Sequence, residues 1–491
     1  MCWPLVETDG ILYIIRAQIS EINIKNLRIE PLFLGIFISF LKMCRSFSKV
    51  LIGSVLALFF LMPTQVEGQS AFRFKNHQKR DNIHFQLLNN LVVIPVKVNG
   101  KELSFILDTG ARHTLLFSLS EIDSVEVNNV TPIKIRGLGA GGTIDALKSV
   151  KNTLEVGNAM DRNHTLYVIF DETINFSPKM GVPIHGVLGY DFFKDFIVET
   201  KYSQERLIFY DPKQYNPKEC KKCLTFDLQM NDFKPYIKPT IYHDGSVNEV
   251  NLLLDSGSSD ALWLFNEDWA IHEIPKNYFD DFLGFGISGG IFGKRSKLDG
   301  LSLGSFEFND VNVSFPEPEA IREINLDGNR DGSLGAEILK RFTVILDYPS
   351  RKISLEKNHF YKEPFHYNMA GIEVQHDGAV TVHSFVDPQG INLEPNRNSA
   401  TDAIEIRVNP ILNFFLTPRY VVAQVREGSP AASVGIEKGD EVVSINGKPS
   451  YKYKLYEISE LFMSKENRRI SMELNRDGSI YRVKFVLKKV L

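Results

Sequence analysis

Two apolar runs in this protein end in the same three-residue sign: an aspartate, a small hydroxyl residue and a glycine. The first is Phe105-Ile106-Leu107-Asp108-Thr109-Gly110, the second Leu252-Leu253-Leu254-Asp255-Ser256-Gly257. One such triplet closes many ordinary turns. Two in matching flanks place one carboxylate each at the end of a strand, where both can reach a common site. Carboxyl groups a few ångströms apart cannot both ionise, so they share a proton and titrate as a pair. The ionised partner can then take a proton from water while the protonated one polarises an amide carbonyl, which is hydrolysis without a metal or a nucleophilic side chain. Gly110 and Gly257 let the backbone turn tightly beside the carboxylates. Thr109 and Ser256 carry hydroxyls able to donate hydrogen bonds between the two loops.

The elements that must position these residues also occur twice. Gly186-Val187-Leu188-Gly189 follows the first triplet and Gly332-Ser333-Leu334-Gly335 the second. The aspartates are 147 positions apart and the closing glycines 146. Each glycine motif leads through a short helical stretch, Tyr190 to Phe196 or Ala336 to Phe342, into Ile197–Thr200 or Thr343–Asp347. Four landmarks in one order make this an internal duplication. From His84 onward, short β-rich runs alternate with Gly, Asn and Asp turns, among them Leu91–Val98 and Leu103–Leu107, an all-β texture. Lobe one is expected over 84–215 and lobe two over 216–357, joined through Asp211–Pro217.

Each lobe resembles a retropepsin monomer, with Asp-Thr-Gly-Ala at 108–111, apolar Leu115-Leu116 downstream, and the Gly-x-Leu-Gly element before a short helix. The fused arrangement is similar to pepsin-like proteases. The resemblance spans about residues 84–357 and implies an aspartic peptidase with Asp108 and Asp255 as its dyad. Thr109, Gly110, Ser256 and Gly257 would support that dyad. It further implies two Gly-rich flaps over the substrate, for which Arg136–Thr143 (with Gly139 and Gly141) and Gly284–Ile291 (with Gly286 and Gly289) are the candidates. Ser256 stands where threonine is more usual in that family, and the helices begin Tyr190-Asp191 and Ala336-Glu337 where many retropepsins have Arg-Asp.

Composition changes after Glu356. Gly371 to Phe385 suggests a pair of strands, and Asp387 to Asp402 a polar insertion. Val421–Val425 reads as a strand and Ser429-Pro430 as the start of a short helix that Gly435 ends. Gly439-Asp440 then enters a strand that closes on the Asn446-Gly447 hairpin. Leu455 to Met463 has helical spacing, and Arg476-Asp477-Gly478 turns between two alternating strands. This string resembles a PDZ domain of the kind attached to exported bacterial proteases, over about 364–491. It implies a groove where an extended peptide, often the C-terminal end of a polypeptide, adds as a strand. The carboxylate-binding loop is expected just before Tyr420, within Leu412–Pro418.

The fold class expected is therefore mainly β: a bilobal acid-protease (retropepsin-like) pair of β-barrels followed by an α+β PDZ domain. At 491 residues, length allows about three domains. A formal charge of −4 and the lack of a long basic run give no reason to expect nucleic acid as a partner. Partners are peptide or protein substrates, and no cofactor or metal is expected. The alternative is an inactive peptide-binding scaffold on a protease-derived frame.

At the N-terminus neither Pro31–Leu41 nor Val50–Met62 reaches the ~18–20 apolar residues of a membrane span. Read from Met43, a basic region, an apolar run and a polar exit near Gly68 have the form of a secretory signal peptide over 43–68, leaving 1–42 as an over-extended start. The protein is then exported, periplasmic or extracellular, with the leader either cleaved or kept as a membrane tether. Cleavage leaves no stable span. The pair Cys220 and Cys223 lacks the partners of a four-ligand zinc site and suits a small disulfide loop. Gly137–Gly142 lacks the helix and lysine of a phosphate loop. Asp327–Gly332 starts like a calcium loop, but its twelfth position is Ile338 instead of glutamate. The histidines show no ligand spacing, and His113 is expected as a loop residue.

Overall fold

Strands form where β-branched and aromatic residues alternate with turn formers. Leu91–Val98 buries six of its eight side chains, then Asn99 and Gly100 take positive φ angles of 48° and 90° and return the backbone as Lys101–Leu107. Such a two-residue turn suits the right-handed twist of the strands it joins. The computed structural model describes residues 70–117, 125–170, 174–216, 220, 222–265, 274–322, 330–386 and 411–491. The leader, the Met43 start, the Asp387–Asp402 insertion and residues 327–329 of the calcium-loop-like stretch lie outside the described residues. Gln69–Leu491 form one compact unit.

Each aspartate strand lies in the same local weave. Lys101–Leu107 runs parallel to Gly186–Leu188, which pairs antiparallel with Thr114–Leu116. In the second copy, Leu252–Asp255 runs parallel to Gly332–Gly335, which pairs antiparallel with Leu262–Leu264. The loop after each aspartate thus crosses over the Gly-x-Leu-Gly segment. A Cβ at Gly189 would stand 2.1 Å from the Ala111 carbonyl oxygen, and one at Gly335 2.2 Å from that of Asp260. Only glycine admits that crossing, which is why the motif recurs.

A six-stranded antiparallel sheet joins the halves. Its order is Leu224–Asp227, Lys352–Lys357, Phe342–Asp347, Ile197–Lys201, Arg206–Tyr210 and Arg80–His84, three strands from each copy. At the junction Glu199 pairs with Ile345, its counterpart 146 positions on, so a local two-fold axis passes through the register. Paired structure begins ahead of residue 84, since Arg73–Phe74 and Arg80–His84 are strands of the first half. The apolar faces of both lobes and the joining sheet merge into one core that includes Phe105, Leu107, Leu188, Phe209, Leu254, Leu334 and Phe342. The connector ends in a disulfide between Cys220 and Cys223.

The C-terminal domain has its own core, including Ile372, Tyr420, Ile445, Ile458, Phe462 and Met472. The helix is Leu455–Met463, with Leu455, Ile458, Leu461 and Phe462 buried as the spacing predicts. Asn446 and Gly447, and later Asp477 and Gly478, have the positive φ angles of tight hairpins. Two expectations need correction. Gly371 to Phe385 is not a pair of strands: Ile372–Val386 is one long strand paired with Ile411–Val425. Consequently Leu412–Pro418 is strand, not a carboxylate-binding loop. The strand packed beside the helix is Ile372–Val386, and the loop entering it is Asn368–Gly371.

Candidate active site and peptide groove

The two aspartate loops are locked together by reciprocal hydrogen bonds. The Thr109 N–H donates to Ser256 Oγ at 3.0 Å, and the Ser256 N–H donates to Thr109 Oγ1 at 3.0 Å. Each hydroxyl then donates across the interface, Thr109 Oγ1 to the Leu254 carbonyl at 2.5 Å and Ser256 Oγ to that of Leu107 at 2.9 Å. Thr109 and Ser256 are buried at 1% and 7% exposure, so these groups have no water to fall back on. Ser256 performs what threonine would, because only the hydroxyl is used.

That clasp brings the carboxyls face to face. Asp108 and Asp255 lie close enough that each carboxyl bears on the other's proton. The Gly110 N–H donates to Asp108 Oδ1 at 2.7 Å and the Gly257 N–H to Asp255 Oδ1 at 3.0 Å. A Cβ on Gly257 would lie 2.3 Å from Asp108 Cγ, and one on Gly110 3.0 Å from Asp255 Cγ. Each glycine therefore packs on the opposite carboxyl. Burial, then the facing Asp255 carboxylate, raises Asp108 to about 7. Burial also raises Asp255, against the opposing pull of Arg330, the Gly257 N–H and Lys234. A carboxyl pair held above the ordinary range keeps one proton over a wide span of pH.

Three neighbours escaped the sequence reading. Arg330 is buried, donates from Nε to the Gly332 carbonyl and from Nη2 to Ser333 Oγ, and lies over the Phe265 ring. Tyr348 is buried with a hydroxyl that has no partner among the described residues, and both aspartates add to the burial that suppresses its ionisation. Lys234 feels both aspartates. The repeat invites a comparison of the two copies at this position, but its constant offset alone does not reach Lys234. His113 is no part of this cluster; its ring stacks 4.5 Å from that of Tyr167.

The Gly-rich segments lie between paired strands, 136–143 after Val130–Ile135 and 287–288 at the tip of the hairpin Phe279–Gly286 with Gly289–Leu303. The structure brings them together. The Gly141 N–H donates to the Ser288 carbonyl at 2.7 Å, the Ser288 N–H to that of Leu138 at 2.8 Å, and the Gly137 N–H to Ser288 Oγ at 3.1 Å. A Cβ on Gly286 would meet the Leu138 carbonyl oxygen at 2.0 Å and one on Gly139 the Ser288 backbone at 2.5 Å. Gly289 has φ 110°, and a Cβ there would meet the Gly141 nitrogen at 3.9 Å.

The groove between Ile372–Val386 and the helix Leu455–Met463 is covered by lobe one. The helical turn Ser177–Met180 packs on both elements. Gly181, which caps that turn at φ 71°, lies so near Leu455 that a Cβ would be 2.6 Å from the leucine Cβ. Lys179 Nζ pairs with Glu373 at 3.3 Å and stands 3.8 Å from the Phe282 ring centroid. Tyr456 joins the lobe-one cluster that contains Met180. In the entering loop, the Ala370 and Gly371 N–H groups both donate to Asn368 Oδ1 at 3.0 Å.

With this geometry in view, a family model described as aspartyl protease matches residues 94–192, and a PDZ domain model matches residues 421–476. The protein thus carries an aspartyl protease domain and a PDZ domain, in a mainly β fold. It is similar in structure to the aspartic proteinase from Irpex lacteus, at 12% identity over 58% of this protein and 99% of that one, with a TM-score of 0.40. No curated protein matches it. Among the described residues no helix is long and apolar enough to cross a membrane.

Proposed function

We propose that the protein is an aspartic endopeptidase in which Asp108 and Asp255 activate water against a peptide bond. The observation that carries this is the clasped pair: two closely facing carboxyls, Asp255 buried and Asp108 partly so, each backed by a glycine amide. In the working state one proton is shared. The ionised carboxylate removes a proton from water as its oxygen attacks the carbonyl carbon, and the protonated partner donates to the developing oxyanion. The diol then collapses: the proton taken from water passes to the leaving nitrogen as the C–N bond breaks, the partner carboxylate takes a proton back from the diol hydroxyl as the carbonyl re-forms, and the dyad again holds one proton. The joined segments around Gly139, Gly141, Gly286 and Gly289 act as a pair of flaps that must part to admit substrate. The PDZ domain recruits peptide or protein by strand addition along Ile372, which requires displacement of the Ser177–Met180 turn. Export through the 43–68 leader places this activity outside the cytoplasm.

A peptide-library cleavage assay from acid to neutral pH tests the proposal, with Asp108→Asn and Asp255→Asn beside the wild type. Cleavage by the wild type alone supports it. A wild type that cuts nothing, or variants that cut equally well, would refute it and leave the scaffold reading.

A further inference from the structure

Strand register identifies a residue beside the dyad for which the aspartate motifs have no use. In copy one the aspartate strand pairs with Leu91–Val98 so that Val93 opposes Ile106, and continuing the ladder puts Leu91 opposite Asp108. In copy two Tyr236 opposes Leu253, and the same continuation puts Lys234 opposite Asp255. Residues directly opposite in an antiparallel pair share a face of the sheet. Lys234 is thus the counterpart of Leu91 and stands on the dyad's side of its strand. Leu91 is buried in an apolar cluster, whereas Lys234 is only half-buried.

The hairpin that carries Lys234 is pinned across the seam between lobes. At its tip Asp232 pairs with Arg112 of lobe one at 2.6 Å, the Arg112 guanidinium lies 4.6 Å from the Phe233 ring, and Phe233 packs on Tyr190 at 4.8 Å. Asp232 is thereby committed to Arg112. Lys234 itself has no ion-pair or hydrogen-bond partner for its ammonium among the described residues. Burial and the like charge of Arg330 both work against its ammonium. A dyad that shares one proton carries a single negative charge, while Lys234 and Arg330 supply two positive ones. The neighbourhood is left with about one uncompensated positive charge, although the whole protein is acidic.

We infer that Lys234 is a specificity residue: it binds an acidic side chain of the peptide substrate close to the scissile bond. This rests on the peptidase reading above. A charge-assisted bond to a partly desolvated ammonium is strong enough to set a preference. Replacement by the residue at the equivalent position, Lys234→Leu, removes the charge with a side chain the fold already accepts in copy one.

The test is a library of peptides varied to Asp, Glu, Asn, Gln or Lys at each position flanking the cleaved bond. Wild type should favour Asp or Glu at one position over the matching amide by about ten- to a hundredfold in kcat/KM. Lys234→Leu should lose that preference, mainly through KM, while still cleaving neutral peptides. Lys234→Arg should keep it, and Lys234→Glu should turn it toward lysine. A wild type that cleaves without acidic preference, or a Lys234→Leu enzyme with an unchanged profile and only a shifted pH optimum, overturns the inference and leaves the peptidase reading intact. A wild type that cleaves no peptide overturns both.

Discussion

Neutralising Asp108 should stabilise the protein at neutral pH, and by an amount that depends on pH in a defined way. Burial and the facing carboxylate raise Asp108 from 3.8 to about 7. The folded state therefore binds a proton that the unfolded state releases near its ordinary value. The sign follows from linkage: this group's contribution is fully present below about pH 4 and is lost as pH rises through 7. About three units at roughly 1.4 kcal/mol each set an upper bound of about 4 kcal/mol. Asp108 retains some exposure, so solvent screening reduces this, and we expect about 2 kcal/mol. Asp108→Asn keeps the side-chain volume and an oxygen for the Gly110 N–H, and its amide can donate to Asp255 much as the shared proton does. Urea denaturation of both proteins at pH 4, 6 and 8 measures the effect. The variant should match wild type at pH 4 and exceed it increasingly up to pH 8. Groups away from the dyad that titrate in this window, such as Glu337, which burial raises to about 7, cancel in the difference. A difference that stays constant across pH, or that shrinks on going to pH 8, would refute the argument that the pair is held against its own charge.

Three further outcomes follow from the same contacts. Thr109→Val removes one hydroxyl but strands two buried groups, the Ser256 N–H and the Leu254 carbonyl, so stability should fall by about 2–4 kcal/mol and activity with it, while Ser256→Thr should be close to neutral in both denaturation and cleavage assays. Lys179→Glu sets a negative charge against Glu373 and removes the cation beside Phe282, so backbone amides along Ile372–Gln375 should exchange hydrogen faster and added C-terminal peptides should bind the groove more tightly. Asp161, hydrogen-bonded to His164 and Ser70, is lowered to about 2 against the cost of its burial; Asp161→Asn should therefore destabilise lobe one above pH 4, with the penalty shrinking as pH falls toward 2 in a denaturation series.

How far the sequence speaks depends on the range of the interaction. The triplets, the glycine motif and the Leu455–Met463 helix were legible because local sterics and periodicity write them into adjacent residues. Which strand lies beside that helix was not legible. Ile372–Val386 and Ile411–Val425 both alternate well enough to be strands, and only their pairing decides which one borders the groove. The cover that lobe one places over that groove is longer in range still, joining residues nearly two hundred positions apart. Lys234 shows the same limit within the repeat itself. Carrying the 147-residue offset of the aspartates back from Leu91 leads to Lys238, a lysine too, but an exposed one. The strand pair of copy two is four residues longer, counted from Lys234 to Asp255, than that of copy one from Leu91 to Asp108. Continued from the Tyr236–Leu253 pair, the register absorbs that difference and sets Lys234 opposite Asp255. A charge at Lys238 would be a solvated surface lysine, whereas the same charge four residues earlier lies beside two carboxyls that can hold only one negative charge between them. The chemistry of the site therefore turns on a register shift that residue types do not disclose.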